Sequence, residues 1–131
     1  MTGRILVADD DADNRAIATE ALALAGYEVA QAADGREALD RALRDKPDLV
    51  LLDLSMPKMD GWEVARRLRG SPEAEGTLIL AYTAHALPGE DARAKAAGCD
   101  EYLAKPCAPR ELVQKVTSLL KMKESLRGGR K

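Results

Sequence analysis

The 131-residue sequence contains no phenylalanine, a single tryptophan and only two cysteines. Without phenylalanine, a hydrophobic core must be built mainly from leucine, valine, isoleucine and alanine. Cys99 and Cys107 are too few and too isolated for a disulfide framework or a zinc site. We therefore expect both cysteines to be packing residues in a reducing compartment.

A large excess of charge of one sign is also missing. The net charge of -2 gives no electrostatic reason to expect that the body of the protein binds nucleic acid directly. No apolar run approaches the roughly 20 residues that cross a bilayer, and the first residues show no signal-peptide pattern. We therefore expect no membrane insertion and a cytoplasmic location.

What the sequence does contain is a fully apolar segment, residues 49–52, that ends abruptly in Asp53. A run that is apolar at every position suits a strand buried on both faces. Five strand-like segments alternate with five helical ones along the chain. This alternation predicts an α/β fold, a doubly wound five-stranded parallel sheet with helices on both faces. We place the domain at residues 1–120 and a basic, flexible tail at residues 121–131.

Polar residues stand where the predicted strands end. Asp9 and Asp10 follow the first strand, Asp53 ends the third, Thr83 ends the fourth and Lys105 follows the fifth. Parallel strands bring these positions to one edge of the sheet. Carboxylates about 4 Å apart repel by about 4 kcal/mol at an effective dielectric of about 20, so such a cluster must protonate, pair with a cation or bind a metal.

The carboxylate cluster predicts phosphoryl chemistry at this edge. Hard oxygen ligands suit Mg²⁺, with Mn²⁺ as the alternative ion. A metal held by two carboxylates beside a third that is partly free indicates a phosphoryl acceptor site. Asp53 would then be a nucleophile that becomes an aspartyl phosphate, while Thr83 and Lys105 bind phosphoryl oxygens.

Several short motifs resemble the signature of the response-regulator receiver domains of two-component systems. In chain order these motifs are Val7-Ala8-Asp9-Asp10, Leu51-Leu52-Asp53-Leu54-Ser55-Met56-Pro57, Asp60-Gly61, Thr83-Ala84 and Lys105-Pro106. The resemblance covers about residues 5–120, and the combination of motifs is far more specific than any one of them. It implies the flavodoxin-like strand order 2-1-3-4-5, known from the chemotaxis receiver.

The resemblance implies that Asp53 is the phosphoacceptor and takes part in a Mg²⁺ site. The side chains of Asp10 and Asp53 would be metal ligands, and Ser55 would contribute its backbone carbonyl. Asp9 would hold the metal through water.

The resemblance also implies roles around the phosphoryl group. Thr83, Ala84 and Lys105 would bind the phosphoryl oxygens. Tyr102 matches an aromatic switch position that turns inward as Thr83 moves towards the phosphate.

Three further positions have roles implied only by the resemblance. Ser55 and His85, each two residues after a key site residue, match positions that tune the lifetime of the phosphoryl group. Pro106 would follow a cis peptide bond, which occurs at only about 5–6% of such bonds in folded proteins.

Together these features predict a stand-alone receiver domain that is not an enzyme. Its phosphodonor would be a sensor histidine kinase or a histidine phosphotransfer protein, as in regulators of the chemotaxis or cell-cycle type. Phosphorylation would switch a protein-interaction face around Ala86, Leu87, Tyr102 and the helix after Pro109. Its output would pass through contacts with a downstream protein partner.

Three alternatives were weighed against this interpretation. The chain could be a receiver module excised from a larger hybrid kinase or regulator, with the tail as a linker stub. A Mg²⁺-dependent aspartate-nucleophile phosphohydrolase would need a second acid where this chain has Ser55. A flavodoxin-like cofactor binder would need a Ser/Thr/Gly-rich phosphate loop where this chain has Asp9, Asp10 and Asp11.

Overall fold

Five strands alternate with five α-helices in the computed structural model, which describes residues 3–84, 87–105 and 107–128. The strands are β1 (Arg4–Ala8), β2 (Glu28–Ala32), β3 (Leu49–Asp53), β4 (Leu78–Thr83) and β5 (Glu101–Ala104). The helices are α1 (Ala12–Leu24), α2 (Gly35–Asp45), α3 (Gly61–Arg69), α4 (Glu90–Ala96) and α5 (Pro109–Gly128). A short 3₁₀ turn, Pro72–Ala74, separates α3 from β4.

All neighbouring strands pair in parallel, in the order β2-β1-β3-β4-β5. The predicted fold class and strand order are therefore confirmed. Strand β3 lies at the centre and is buried at every position, as its uninterrupted apolar sequence predicts. The sheet thus places Asp53 at the carboxyl end of its middle strand.

Alternate residues of the strands face two separate hydrophobic layers. One layer combines Leu6, Val50 and Ile79 with apolar residues of α2, α3 and α4. The other combines Leu51 and Leu80 with apolar residues of α1 and α5. Burial of these aliphatic side chains on both faces of the sheet, at about 25 cal/mol per Å² of apolar surface, is the main source of stability in a core without phenylalanine.

Aspartates begin three of the helices that flank the site. The side chains of Asp11, Asp34 and Asp60 accept hydrogen bonds from backbone N–H groups in the first turns of α1, α2 and α3. Such caps satisfy donors that have no partner within a helix. They fix where each helix starts after a strand end.

The start of α3 lies directly against the end of β3. A Cβ atom at Gly61 would overlap the backbone carbonyl of Asp53 and crowd the Cα of Leu54. The Gly61 N–H also donates a 3.1 Å hydrogen bond to the carbonyl of Leu54. Only glycine allows this close approach, which holds the loop after Asp53 in place.

The predicted flexible tail differs from the structure over most of its length. Helix α5 continues to Gly128, well beyond the expected boundary at residue 120. Lys123 anchors this extension, because its Nζ lies 3.7 Å from Oδ1 of Asp48 and 3.4 Å from the Asp48 carbonyl. Residues 121–128 are therefore helical, and the division of the chain into a domain and a tail stays a prediction.

Candidate functional site

The carboxyl edge of the sheet collects the polar residues that the sequence places at strand ends. Asp53 is the last residue of β3 and pairs in register with Tyr82 of β4. Thr83 ends β4, and its carbonyl accepts a 2.7 Å hydrogen bond from the backbone N–H of Lys105. Asp9 follows β1 at the same edge. The topology thus brings together residues that are far apart in the chain.

Three carboxylates meet at this edge. Asp9, Asp10 and Asp53 each offer one oxygen, and these oxygens lie within 4.8 Å of one another. Asp9 and Asp53 are buried, with 2% and 5% of their surface exposed, whereas Asp10 is open to solvent. An all-oxygen set with one open side fits Mg²⁺, which binds through one or two carboxylates and keeps several waters. The predicted acidic cluster is therefore present.

Lys105 neutralises part of the negative charge. Its Nζ lies 2.8 Å from Oδ2 of Asp9 and 3.7 Å from Oδ2 of Asp53, and the lysine side chain is only 11% exposed. One ammonium group facing three carboxylates leaves the pocket net negative. The pocket therefore retains an electrostatic preference for an additional cation.

The environment of Asp53 disfavours its ionised form. Burial raises the pKa of Asp53 to about 6, and the nearby negative charge of Asp9 acts in the same direction. The backbone N–H of Ser55, 3.0 Å from Oδ1 of Asp53, and the ammonium of Lys105 partly offset this increase. An incoming cation would restore the carboxylate form that a nucleophile needs.

A backbone contact and a lysine orient the Asp9 carboxylate. The N–H of Asp11 donates a 2.9 Å hydrogen bond to Oδ1 of Asp9, which leaves Oδ2 of Asp9 for Lys105. Thr83 is buried at the end of β4, and Ala84, directly after the strand, is exposed. Ser55 is exposed in the loop after β3. Among these three positions, Ser55 contacts Asp53 through its backbone N–H, and the roles of all three stay predictions.

Tyr102 contacts an acidic residue of α4. Its hydroxyl donates a 2.8 Å hydrogen bond to Oε1 of Glu90, which is buried at the start of that helix. Burial and the adjacent carboxylate raise the pKa of Tyr102 to about 12, so the phenol stays protonated and keeps donating. The contact links β5 to α4, the part of the molecule where a switch is predicted.

Some predicted positions lie outside the described residues. His85, with its predicted effect on phosphoryl lifetime, Ala86 of the proposed interaction face, and Pro106 with its predicted cis bond belong to this group. Those three predictions stand as sequence-based expectations.

Three residues in or near the site, Arg15, Tyr82 and Glu90, were not predicted from the sequence. Nη1 of Arg15 donates a 2.8 Å hydrogen bond to the carbonyl of Asp9 and braces the turn after β1. The ring of Tyr82 lies under Nζ of Lys105, at 4.7 Å from its centroid. Glu90 is the partner of Tyr102. Only Arg15 had a local signal in the sequence, because it lies one helical turn after Asp11, the cap of α1.

The family model described as a response regulator receiver domain matches residues 5–117. Among curated proteins, the response regulator MprA of Mycolicibacterium vanbaalenii is 44% identical over 121 residues, which cover 92% of this chain and 52% of that protein. MprA of Mycobacterium tuberculosis is 43% identical, with the same coverage.

Two solved structures match almost completely. The chemotaxis protein CheY4 of Vibrio cholerae is 34% identical with a TM-score of 0.84, over 90% of this chain and 98% of that one. A CheY-like receiver domain protein of Methanospirillum hungatei is 30% identical with a TM-score of 0.88, over 95% and 98% of the two chains. These similarities extend over the whole sheet and the edge that carries Asp53.

The lengths of the relatives bear on the predicted stand-alone regulator. The chain spans about half the length of the curated relatives it matches. This favours the alternative, a receiver module within a larger regulator, over the stand-alone interpretation. Within residues 3–84, 87–105 and 107–128, no helix is both long enough and apolar enough to cross a membrane.

Proposed function

The chain belongs to the response regulator receiver domain family, and we propose that it accepts a phosphoryl group on Asp53 with the help of Mg²⁺. The observation that carries the proposal is the convergence of Asp9, Asp10 and Asp53 with Lys105 at one edge of the sheet. Neither a helix cap nor a core position requires this combination. A buried nucleophile, a cation site and a fixed ammonium are what phosphoryl transfer to a carboxylate needs.

In this proposal the side chains of Asp10 and Asp53 and the carbonyl of Ser55 would hold Mg²⁺, with Asp9 acting through water. When bound, the ion supplies charge stabilisation for the phosphoryl oxygens. A carboxylate oxygen of Asp53 forms a bond to phosphorus as the bond from phosphorus to the donor nitrogen of a phosphohistidine breaks. Lys105, Thr83 and the backbone at Ala84 would bind the transferred oxygens.

The donor in this scheme is a sensor histidine kinase or a histidine phosphotransfer protein, as membership of the family supports. The chain itself would not be an enzyme that turns over phosphate esters. Ser55 supports this assignment, because a phosphohydrolase with an aspartate nucleophile needs an acid at that position. A purified sample should therefore release no more phosphate from an aryl phosphate ester than its Asp53→Asn variant does.

The output of the proposed function is a shift between two conformations. A dianionic phosphoryl group draws Thr83 and Lys105 towards Asp53 and changes the position of Tyr102. The affected surface would include Leu87, which is 67% exposed, together with Tyr102 and α5. The relatives' greater length supports a receiver module whose partner surface lies within a larger regulator. An immunoblot of source cells, which gives the native length, tests that arrangement.

The central experiment is intact mass spectrometry after incubation with a small-molecule acyl phosphate and Mg²⁺. We expect one added phosphoryl group on the wild type and none on Asp53→Asn or in the presence of a chelator. Asp40→Asn is the matched control, because Asp40 is an exposed carboxylate on α2 and should leave labelling unchanged. An unchanged phosphorylated mass in Asp53→Asn would show that the acceptor is another residue.

Lys105→Ala separates the metal site from the phosphoryl site. Loss of this ammonium should preserve Mg²⁺ affinity, because it removes a competing cation from the carboxylates. It should slow phosphorylation by about tenfold to hundredfold, the usual cost of a lost charge-assisted hydrogen bond, and uncouple labelling from the switch. Mg²⁺ binding is read by calorimetry and labelling by mass. Loss of metal binding alone would contradict this division of roles.

A further inference from the structure

Lys105 must hold its ammonium in one place to serve the proposed phosphoryl site. A lysine side chain has a flexible four-carbon stem, so its charge has many positions available. Here Nζ lies 2.8 Å from Asp9, 3.7 Å from Asp53 and 4.7 Å from the centre of the Tyr82 ring. We expect the first two contacts to change when a metal or a phosphoryl group binds. We expect the third, to a neutral ring, to persist.

Tyr82 is well placed to act as a fixed support. It is the second-last residue of β4, is half-buried, and lies directly beside Asp53 in the strand register. Its hydroxyl lies 3.7 Å from Sγ of Cys107 in the loop before α5. Burial raises the pKa of the Tyr82 phenol above its ordinary range, so the ring remains neutral near the carboxylates. A neutral aromatic face attracts an ammonium group without adding charge.

The surroundings show where Lys105 would move without the ring. A cleft of about 550 Å³ opens between α1 and the start of α5, and both Tyr82 and Lys105 line it. Ile17, which is 55% exposed, lines it from α1. A smaller aliphatic side chain at position 82 would leave the lysine stem free to swing into this space. The ring therefore fills space beside the ammonium that a smaller side chain would leave open to the cleft.

We propose that Tyr82 is a positioning residue that holds the Lys105 ammonium between Asp9 and Asp53 through the face of its ring. The proposal rests on the proposed phosphoacceptor function, because that function gives the position of Lys105 its consequence. It assigns the effect to the aromatic ring and not to the hydroxyl group.

The kinetic test is a double-mutant cycle on the labelling rate with a small-molecule acyl phosphate and Mg²⁺. Loss of a cation–π contact changes a rate or equilibrium constant by about twofold to thirtyfold, and the effect is larger when the pair is shielded from water. We expect Tyr82→Leu to slow labelling by about tenfold. Tyr82→Phe, which keeps the ring, should stay within about twofold of the wild type. In a Lys105→Ala background, Tyr82→Leu should have no further effect. Cys107→Ala, which removes the hydroxyl contact together with some partly buried packing, is the matched control and should leave the labelling rate unchanged.

A measurement that does not depend on activity keeps the proposal testable if the proposed function fails. An ammonium stem over an aromatic face places the ε-methylene protons of Lys105 in the ring current of Tyr82. We expect upfield proton shifts for this group in wild type and Tyr82→Phe, and their loss in Tyr82→Leu. The shifts are measured on metal-free protein, so they report the geometry even if the wild type takes no phosphoryl group.

Several results would overturn the proposal. Equal slowing by Tyr82→Leu in the wild-type and Lys105→Ala backgrounds would mean that the ring acts on the site by another route. A Tyr82→Phe variant as slow as Tyr82→Leu would assign the effect to the hydroxyl group. Ordinary ε-methylene shifts in the folded wild type would remove the contact itself. Failure of labelling in the wild type together with upfield shifts would refute the phosphoacceptor function and leave the placement of Lys105 supported.

Discussion

Replacing Asp53 by asparagine should stabilise the metal-free protein while destroying its proposed function. The carboxylate is 7% exposed and lies in a cluster with Asp9 and Asp10 that Lys105 only partly neutralises. Asparagine has nearly the same shape and can keep the 3.0 Å hydrogen bond from the N–H of Ser55. The substitution therefore removes a buried charge with little change in packing.

The size of the effect follows from the pKa of Asp53. A pKa of about 6 in the folded state, against an ordinary value of 3.8, corresponds to about 3 kcal/mol of destabilisation when the group is ionised in both states. Relaxation of the folded protein around the ionised carboxylate, and water that reaches it, reduce the cost of the buried charge in the wild type. We therefore expect Asp53→Asn to raise the free energy of unfolding by about 1–3 kcal/mol at pH 7.5.

The pH dependence has a defined sign. The folded-state pKa of Asp53 is raised, so the unfolded chain loses this proton first as the pH increases. The contribution of Asp53 to wild-type stability should therefore fall between about pH 4 and pH 6 and level off above that range. The advantage of Asp53→Asn should be small near pH 4, increase up to about pH 6 and then stay constant.

Urea unfolding in the presence of a chelator, from pH 4.5 to pH 8, measures this prediction. Adding Mg²⁺ should stabilise the wild type more than the variant, because binding to the folded state adds RT ln(1 + [Mg²⁺]/Kd). Asp40→Asn, an exposed carboxylate, should change stability by less than about 0.5 kcal/mol at every pH. An advantage of Asp53→Asn that is absent at pH 7.5, or that does not vary with pH, would refute the electrostatic reasoning.

Two further predictions concern the frame around the site. Gly61→Ala should lower the free energy of unfolding by about 2 kcal/mol or more, because its Cβ would overlap the Asp53 carbonyl. Gly70→Ala is the control, since the nearest neighbour of its Cβ would be 3.6 Å away, and it should be neutral or slightly stabilising in chemical unfolding. Glu90→Gln replaces a charged acceptor for the Tyr102 hydroxyl by a neutral one, so we expect loss of about 1 kcal/mol and a Tyr102 pKa closer to 10 in a spectrophotometric titration. Equal losses for the two glycine variants, or an unchanged tyrosine titration, would contradict these explanations.

Much of the architecture was predictable because it depends on local patterns. The uninterrupted apolar segment of β3 indicated a strand buried on both faces, and its alternation with helical segments indicated a parallel sheet. The same reasoning placed Asp9, Asp53 and Lys105 at one edge, since parallel strands end together. Helix length was less predictable: α5 continues to Gly128, and Lys123 on this extension lies 3.7 Å from Asp48, a contact between distant segments.

Local sequence patterns indicate which residue types end each strand, and with them the acidic edge that carries Asp53. Which side chains touch there depends on how the strands and helices pack. Lys105 and Asp9 are 96 residues apart, and the ring of Tyr82 supports Lys105 only because β4 turns that face towards the cleft beside α1. The hydroxyl of Tyr102 in β5 likewise donates a hydrogen bond to Glu90 in α4. Periodicity records which face of a strand is buried, whereas a side-chain contact depends on how neighbouring elements pack, and no local pattern encodes that packing.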